Sequence, residues 1–210
     1  MLNRELIVDY LPFSVSREQI NESLNKNNGK LIVSGILQRA NSKNQNGRVY
    51  PKSTLMREAK KYLNAQIKES RALGELDHPD SSVVNLNNVS HNVLEMHWNN
   101  DTLLGTLEVL PTPSGNILKE LFKAGIKLGI SSRGLGSVKE ITEDGVMDPN
   151  ENPTVEVQSD FELIAFDFVS SPSTQGAFMS QLKESANESK TRICGKWCEV
   201  ETVINNIMRG

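Results

Sequence analysis

The sequence predicts an α+β fold, with mostly antiparallel strands and two or three helices. Three observations lead there. Short β-branched or alternating runs recur between turn signals, clearest in VSHNVLEMHW and TLLGTLEVL, which flank an Asn-Asn-Asp turn and read as a hairpin. Two longer segments carry helical spacing instead. The 210 residues are 37% hydrophobic and 23% charged, enough apolar material for one packed core and too little net charge for disorder.

Residues 1–29 end in the polar run NESLNKNNGK and read as a tail or linker. LIVSGILQ (31–38) is strand-like, NSKNQNGR a polar loop, and Tyr50-Pro51 closes that loop. Ser53 is placed to cap a helix running to about Glu69, with Leu55, Ala59, Leu63 and Ile67 recurring every four residues. A short strand in RALGELDH stops at Pro79. Alternation puts Gly74, Leu76 and His78 on one face and Glu75 and Asp77 on the other. A polar loop (80–88) leads to the hairpin. Thr112 or Ser114 starts the next helix, its stripe formed by Ile117, Leu118, Leu121 and Phe122, and Gly125 or Gly129 ends it. LGISSRGLGSVKEI is strand-like at both ends and Gly-rich between. A turn-rich excursion (142–153) precedes the longest β-like run, Val155–Val169; Pro172 ends that run, and a helix is expected near 173–183. The expected organisation is a tail (1–29), one domain (30–180) and a C-terminal tail (181–210).

Composition narrows the function. A net charge of −3 without a dense Lys/Arg block gives no footprint for nucleic acid or an anionic membrane. Apolar stretches fall well short of a membrane span. Arg4, Glu5 and Asp9 interrupt the apolar N-terminus, so it does not read as a signal peptide, and a cytoplasmic setting is expected. Cys194 and Cys198 make neither a disulfide framework nor a four-ligand zinc site. No metal or cofactor is expected.

Three groups of residues could carry chemistry. His78 sits at a strand end, held by the following proline, whereas His91 and His97 fall in the hairpin and suit packing or surface roles. On pattern alone a structural strand-end histidine is the commoner case. SSRGLGS offers Ser131 and Ser132 beside glycines that would let backbone N–H groups approach an oxyanion, although a plain bulge or turn is the commoner reading of such a run. In DFELIAFDFVSSPS, period two puts Asp167 on a face with Phe161, Leu163, Ala165 and Val169. A carboxylate there needs a partner such as an imidazole N–H, unless the strand end meets water. Glu75, Asp77, His78 and Asp80 form a competing divalent-metal constellation, which alternation opposes by turning Glu75 and Asp77 away from His78.

NGRVYPKSTL (46–55), ALGELDHP (72–79) and GISSRGLGS (129–137), with a looser match through FELIAFDFVSSPS, resemble the prohead core proteases of T-even-type tailed phages. The resemblance implies a herpesvirus-assemblin-like fold, a β-barrel-like core wrapped by helices, and a serine endopeptidase site. By position it implies Ser131 as nucleophile, His78 as general base and Asp167 as the orienting acid, with Glu162 as fallback. It also implies an inactive precursor inside the procapsid in the host cytoplasm, which cleaves itself and then scaffold, core and capsid proteins after glutamate with Leu or Ile two residues earlier. Backbone N–H groups around Ser132–Gly134, with Arg133, would hold the oxyanion. Arg39, Arg48 and Lys52 are candidate cations for the glutamate pocket. Ile20-Asn21-Glu22 and Leu182-Lys183-Glu184 match the cleavage pattern, so self-processing is expected after Glu22 and Glu184. The alternative is a non-enzymatic capsid or tail-assembly component on a related fold.

Overall fold

In a computed structural model the chain divides into Met1–Thr174 and Gln175–Gly210; the structure describes residues 4–13, 15–77, 79–141 and 154–170, all in the first unit. The expected helix near 173–183, the turn-rich excursion at 142–153, both cysteines and the Glu184 motif lie outside the described residues.

The N-terminal segment is not a tail. Glu5–Phe13 forms strand β1, and Arg17–Lys26 forms helix α1. Ser16 and Gln19 close a reciprocal capping box at the start of α1, the Ser16 Oγ accepting from Gln19 N and the Gln19 Oε1 accepting from Ser16 N. The helix lacks a broad apolar stripe, which hid it in the sequence. It docks through buried Ile20 and through Ser23, whose Oγ accepts from Ile32 N and donates to Ile32 O, both at 2.7 Å.

Next come β2 (Leu31–Arg39), the two-residue β3 (Arg48–Val49) and α2 (Lys52–Tyr62). Pro51, not Ser53, stands at the α2 N-cap, and Leu63–Ile67 extends the helix as a π-turn. β4 (Leu73–Glu75) precedes the hairpin of β5 (Val89–Asn99) and β6 (Thr102–Val109), whose turn holds Asn100 at φ +52°. Thr112 caps α3 (Pro113–Lys123), its Oγ1 accepting from Gly115 N at 3.0 Å, and Gly125 at φ +78° follows the helix end. β7 (Leu128–Gly136) is one continuous extended strand through SSRG, followed by β8 (Val138–Glu140). The expected long run from Val155 is two strands, β9 (Val155–Val157) and β10 (Glu162–Val169).

The strands form three ladders in the orders β1-β7-β10, β2-β6-β5-β4 and β3-β9-β8, antiparallel except for β3 with β9. An isolated parallel bridge between Leu76 and Phe168 joins the first two sheets. Among the described residues no ladder closes them into a barrel. On β1 the Val8 carbonyl accepts from the side chains of Asn46 and Arg48, not from a further strand. The fold is thus mixed α and β with mostly antiparallel sheets, as expected, and the described residues form open sheets where a barrel-like core was expected.

The core lies between the sheets. Phe168 stacks edge-on against Phe13 (5.2 Å), Phe122 (5.4 Å) and the His91 ring (4.8 Å), drawing β1, α3, β5 and β10 onto one side chain. A smaller cluster of Ile7, Tyr50, Leu55, Val157 and Phe161 fixes β1 and α2 against the third sheet.

Candidate active site

β7 is the middle strand of its sheet, so its side chains alternate between two faces, each flanked by residues of β1 and β10. Ser132 stands opposite Asp9 and Phe166, and Ser131 opposite Tyr10 and Asp167. Gly129 and Arg133 share the face of Ser131. Both serines are buried, but their surroundings differ. Ser132 Oγ accepts from Gln38 Nε2 at 2.8 Å, beside a polar cluster in which Asp9 is bound by Tyr50, Asn46 and Arg48. Ser131 Oγ has no hydrogen-bond partner among the described residues. Native interiors leave few polar atoms unpaired, so a bare hydroxyl on the central strand calls for an explanation.

Arg133 lies on that same face and is completely buried. Its Nη2 donates to Glu75 Oε1 (2.8 Å) and Asp167 Oδ1 (3.2 Å), and its Nη1 donates to Ser81 O (2.8 Å). Nε sits 2.8 Å from Asp167 Oδ2 as an ion-pair contact without an aligned hydrogen bond. The Glu75 backbone N–H donates to Asp167 Oδ1 at 3.0 Å, and Glu75 Oε1 also accepts from Asn85 N. Two carboxyl groups therefore share one guanidinium away from water. Burial pushes the Asp167 carboxyl above its ordinary range, opposed by the adjacent Arg133 charge. Nearby, the Tyr62 hydroxyl is buried without a hydrogen-bond partner among the described residues, its pKa raised by burial and then by the Asp167 charge.

Several expectations change here. Asp167 does not meet water at a strand end; it is fully buried. It shares its face with Ala165 and Val169 but not with Leu163, because a bulge between Leu163 and Ala165 shifts the register by one residue and turns the upstream side chains over. Glu162, the fallback acid, stands at the other end of β10, roughly 15 Å along the strand, and pairs with Arg4 at 3.2 Å. The backbone N–H groups of Ser132–Gly134 do not line an oxyanion hole. They belong to a strand paired on both sides, so they point along the sheet at β1 and β10 while Ser131 Oγ projects from its face. The glycines serve packing instead: a Cβ at Gly129 would collide with the Tyr10 ring, and one at Gly134 with Phe161.

His78 lies outside the described residues. Its neighbour Asp77 ends the extended run at φ +64° and donates its N–H to Phe168 O at 2.7 Å. Phe168 faces Ile130 on β7, so the chain entering His78 runs two strand spacings, about 10 Å, from the strand of Ser131. His91 is a packing histidine. Its Nε2 donates to Phe166 O at 3.0 Å, which leaves Nδ1 to accept from Ser90 Oγ at 2.9 Å, and burial lowers its pKa to about 4. His97 is exposed. Glu75, read from sequence within a competing metal constellation, is the member of the buried cluster that the pattern missed; the available signal was a buried arginine in SSRG, which requires counter-charges.

Of the three cations considered for the glutamate pocket, Arg48 is bound to Asp9 at 3.0 Å and Lys52 to Asp101 at 2.9 Å. Arg39 makes no ion pair among the described residues. It lines a cleft of about 340 Å³ with Tyr10, Pro12, Ile36 and Gln38.

Residues 6–190 match the family described as prohead core protein serine protease. The chain belongs to this family. It is 35% identical over 115 residues to the prohead core protein protease of Enterobacteria phage T4, a match covering 54% of this chain and 54% of that one, about half the length of each. The structure titled as the bacteriophage T4 capsid assembly protease superposes with a TM-score of 0.66 at 25% identity, covering 80% of this chain and 99% of that one.

Proposed function

We propose that this chain is a serine endopeptidase of procapsid maturation, with Ser131 as nucleophile, His78 as general base and Asp167 as orienting acid. The observation that carries this reading is the buried Ser131 Oγ, without a hydrogen-bond partner among the described residues, directly opposite Asp167. Family membership supplies the context. In this reading His78 removes the Ser131 proton as Oγ attacks the scissile carbonyl, then returns it to the departing amine. Asp167 accepts the second imidazole N–H and stabilises the imidazolium. Arg133, clamped by Glu75, holds the Asp167 carboxylate in place.

The proposed substrates are scaffold, core and capsid proteins and the chain itself, cut after glutamate with Leu or Ile two residues earlier, inside the procapsid in the host cell. Arg39 is the cation best placed for the glutamate, because the other two candidates are already committed. Glu22 lies within α1, so a cut there requires that helix to unwind.

Incubating wild type, Ser131→Ala and Ser132→Ala with a peptide bearing Ile-x-Glu tests the reading. Ser131→Ala is expected to abolish cleavage, while Ser132→Ala, on the opposite face, retains it. Full activity in Ser131→Ala would overturn the assignment.

A further inference from the structure

Asp167 is useful to Ser131 only while β10 keeps its register, and β10 changes register within itself. Before Ile164 the backbone groups on its outer edge sit at odd positions: Phe161 O accepts from Arg57 Nη2 at 2.9 Å, and Leu163 N–H donates to Glu58 Oε2 at 3.2 Å. After Ile164 they sit at even positions: Phe166 O accepts from His91 Nε2 at 3.0 Å, and Phe168 O accepts from Asp77 N at 2.7 Å. The bulge accounts for the switch. A slip of one residue in the downstream half would turn Asp167 into the core and Phe166 onto the face of Ser131. We propose, on the strength of the serine-peptidase reading, that His91 is a positioning residue: its Nε2–H, reaching the Phe166 carbonyl across Gly74, holds β10 in the register that faces Asp167 to Ser131.

Reach comes first. His91 stands opposite Gly74 in the ladder of β5 and β4, yet its ring leans over that glycine to the backbone of β10. A Cβ at Gly74 would lie 2.0 Å from Phe166 O and 2.3 Å from His91 Nε2, so glycine is what leaves the passage open. That gives the glycine of ALGELDHP a task. Direction comes second. A carbonyl has no proton to give, so Nε2 carries the hydrogen, and Ser90 Oγ, donating to Nδ1 at 2.9 Å, fixes that tautomer. Adjacency comes third. Phe166 precedes Asp167 and Gly74 precedes Glu75, whose N–H donates to Asp167 Oδ1 at 3.0 Å. One imidazole thus ties β4 to β10 a single residue before the two groups that meet. Arg133 and the Glu75 N–H orient the carboxylate; His91 holds the chain that carries it.

The ring also packs edge-on against Phe168 at 4.8 Å, and substitution separates the two roles. His91→Phe keeps a ring and loses the N–H. His91→Gln loses the ring and keeps an N–H donor. A packing role favours Phe; a positioning role favours Gln.

The test is steady-state kinetics of both variants on a peptide bearing Ile-x-Glu, with folding checked by thermal melting. His91→Phe is expected to lose about 10²-fold in kcat with little change in KM, the size that a misplacement of about 1 Å can cost. His91→Gln is expected to stay within about tenfold of wild type. Wild-type kcat in His91→Phe, a loss confined to KM, or a Gln variant no better than Phe would overturn the proposal. Should His91→Phe fail to fold, Ser90→Ala decides. It frees the ring to carry its proton on Nδ1, and kcat is expected to fall about fivefold, the worth of one hydrogen bond, with no further fall in a His91→Gln background. An unchanged kcat, or the same loss in both backgrounds, then sinks the idea. Ser131→Ala separates the two claims. If it retains activity, the serine reading has failed; if it is dead while folded His91→Phe cleaves normally, only the role of His91 has.

Discussion

Ser131 and Asp167 face each other across antiparallel β7 and β10, both sealed from solvent, yet the Asp167 carboxylate is engaged by Arg133 and the Ser131 hydroxyl by no described residue. The charge count of this cluster, two carboxyl groups to one guanidinium, sets how it responds to substitution.

Removing the cation should cost far more than removing one carboxylate. Arg133→Met leaves Glu75 and Asp167 buried without a counter-charge and is expected to destabilise the fold by about 3–5 kcal/mol. Asp167→Asn leaves Arg133 paired with Glu75 and relieves the burial that already disfavours the Asp167 charge, so about 1–2 kcal/mol is expected. Its cleavage rate should still fall at least a hundredfold, because in the proposed mechanism the imidazole loses its acceptor. Urea denaturation of both variants beside a peptide assay checks the order; equal stability losses would contradict it.

Acid should loosen the fold through His91. Burial holds its pKa near 4, below the ordinary 6.5, so the neutral form is the folded one. The contribution is complete above pH 6.5 and is lost as pH falls toward 4, by up to roughly 3 kcal/mol. Denaturation at pH 7, 5.5 and 4.5 should show this slope in wild type and a shallower one in His91→Gln.

Gly129 is expected to resist even alanine. The added methyl meets the Tyr10 ring, and overpacking of this kind costs about 1–3 kcal/mol. In a Tyr10→Ala background the same change should cost much less. A double-mutant cycle without coupling would show that the ring is not the obstacle.

Processing after Glu22 should track the stability of α1. Ser16→Ala removes the cap without touching the Ile20–Glu22 motif and weakens the helix start by about 1 kcal/mol, so the cut should run about fivefold faster. Intact-mass time courses read this directly. An unchanged rate would mean that α1 is not what protects the site.

The hairpin, α3 and the run into β10 were legible because each carries its own periodicity and turn chemistry. What was hidden rests on distant partners. Asp9 makes β1 look interrupted, but Tyr50, Asn46 and Arg48 satisfy it from some forty positions away. Ser23 docks α1 by hydrogen bonds to β2 where an apolar stripe would be sought. The bulge at Ile164 inverts half of a strand without any glycine to announce it. In the site, the choice of Ser131 over Ser132 rests on the family resemblance, and alternation singles out Asp167 as a carboxylate on an apolar face. Glu75 was set aside as facing the wrong way, since nothing in a period-two pattern reveals an arginine reaching over from another strand.

The first strand gives the strand of Ser131 one of its two neighbours through nine paired residues. A nick between that strand and the rest of the body would therefore yield a non-covalent two-chain complex, not a trimmed chain. Denaturing electrophoresis would separate the pieces while gel filtration kept them together, and an affinity tag on the short fragment would still carry the larger piece with it.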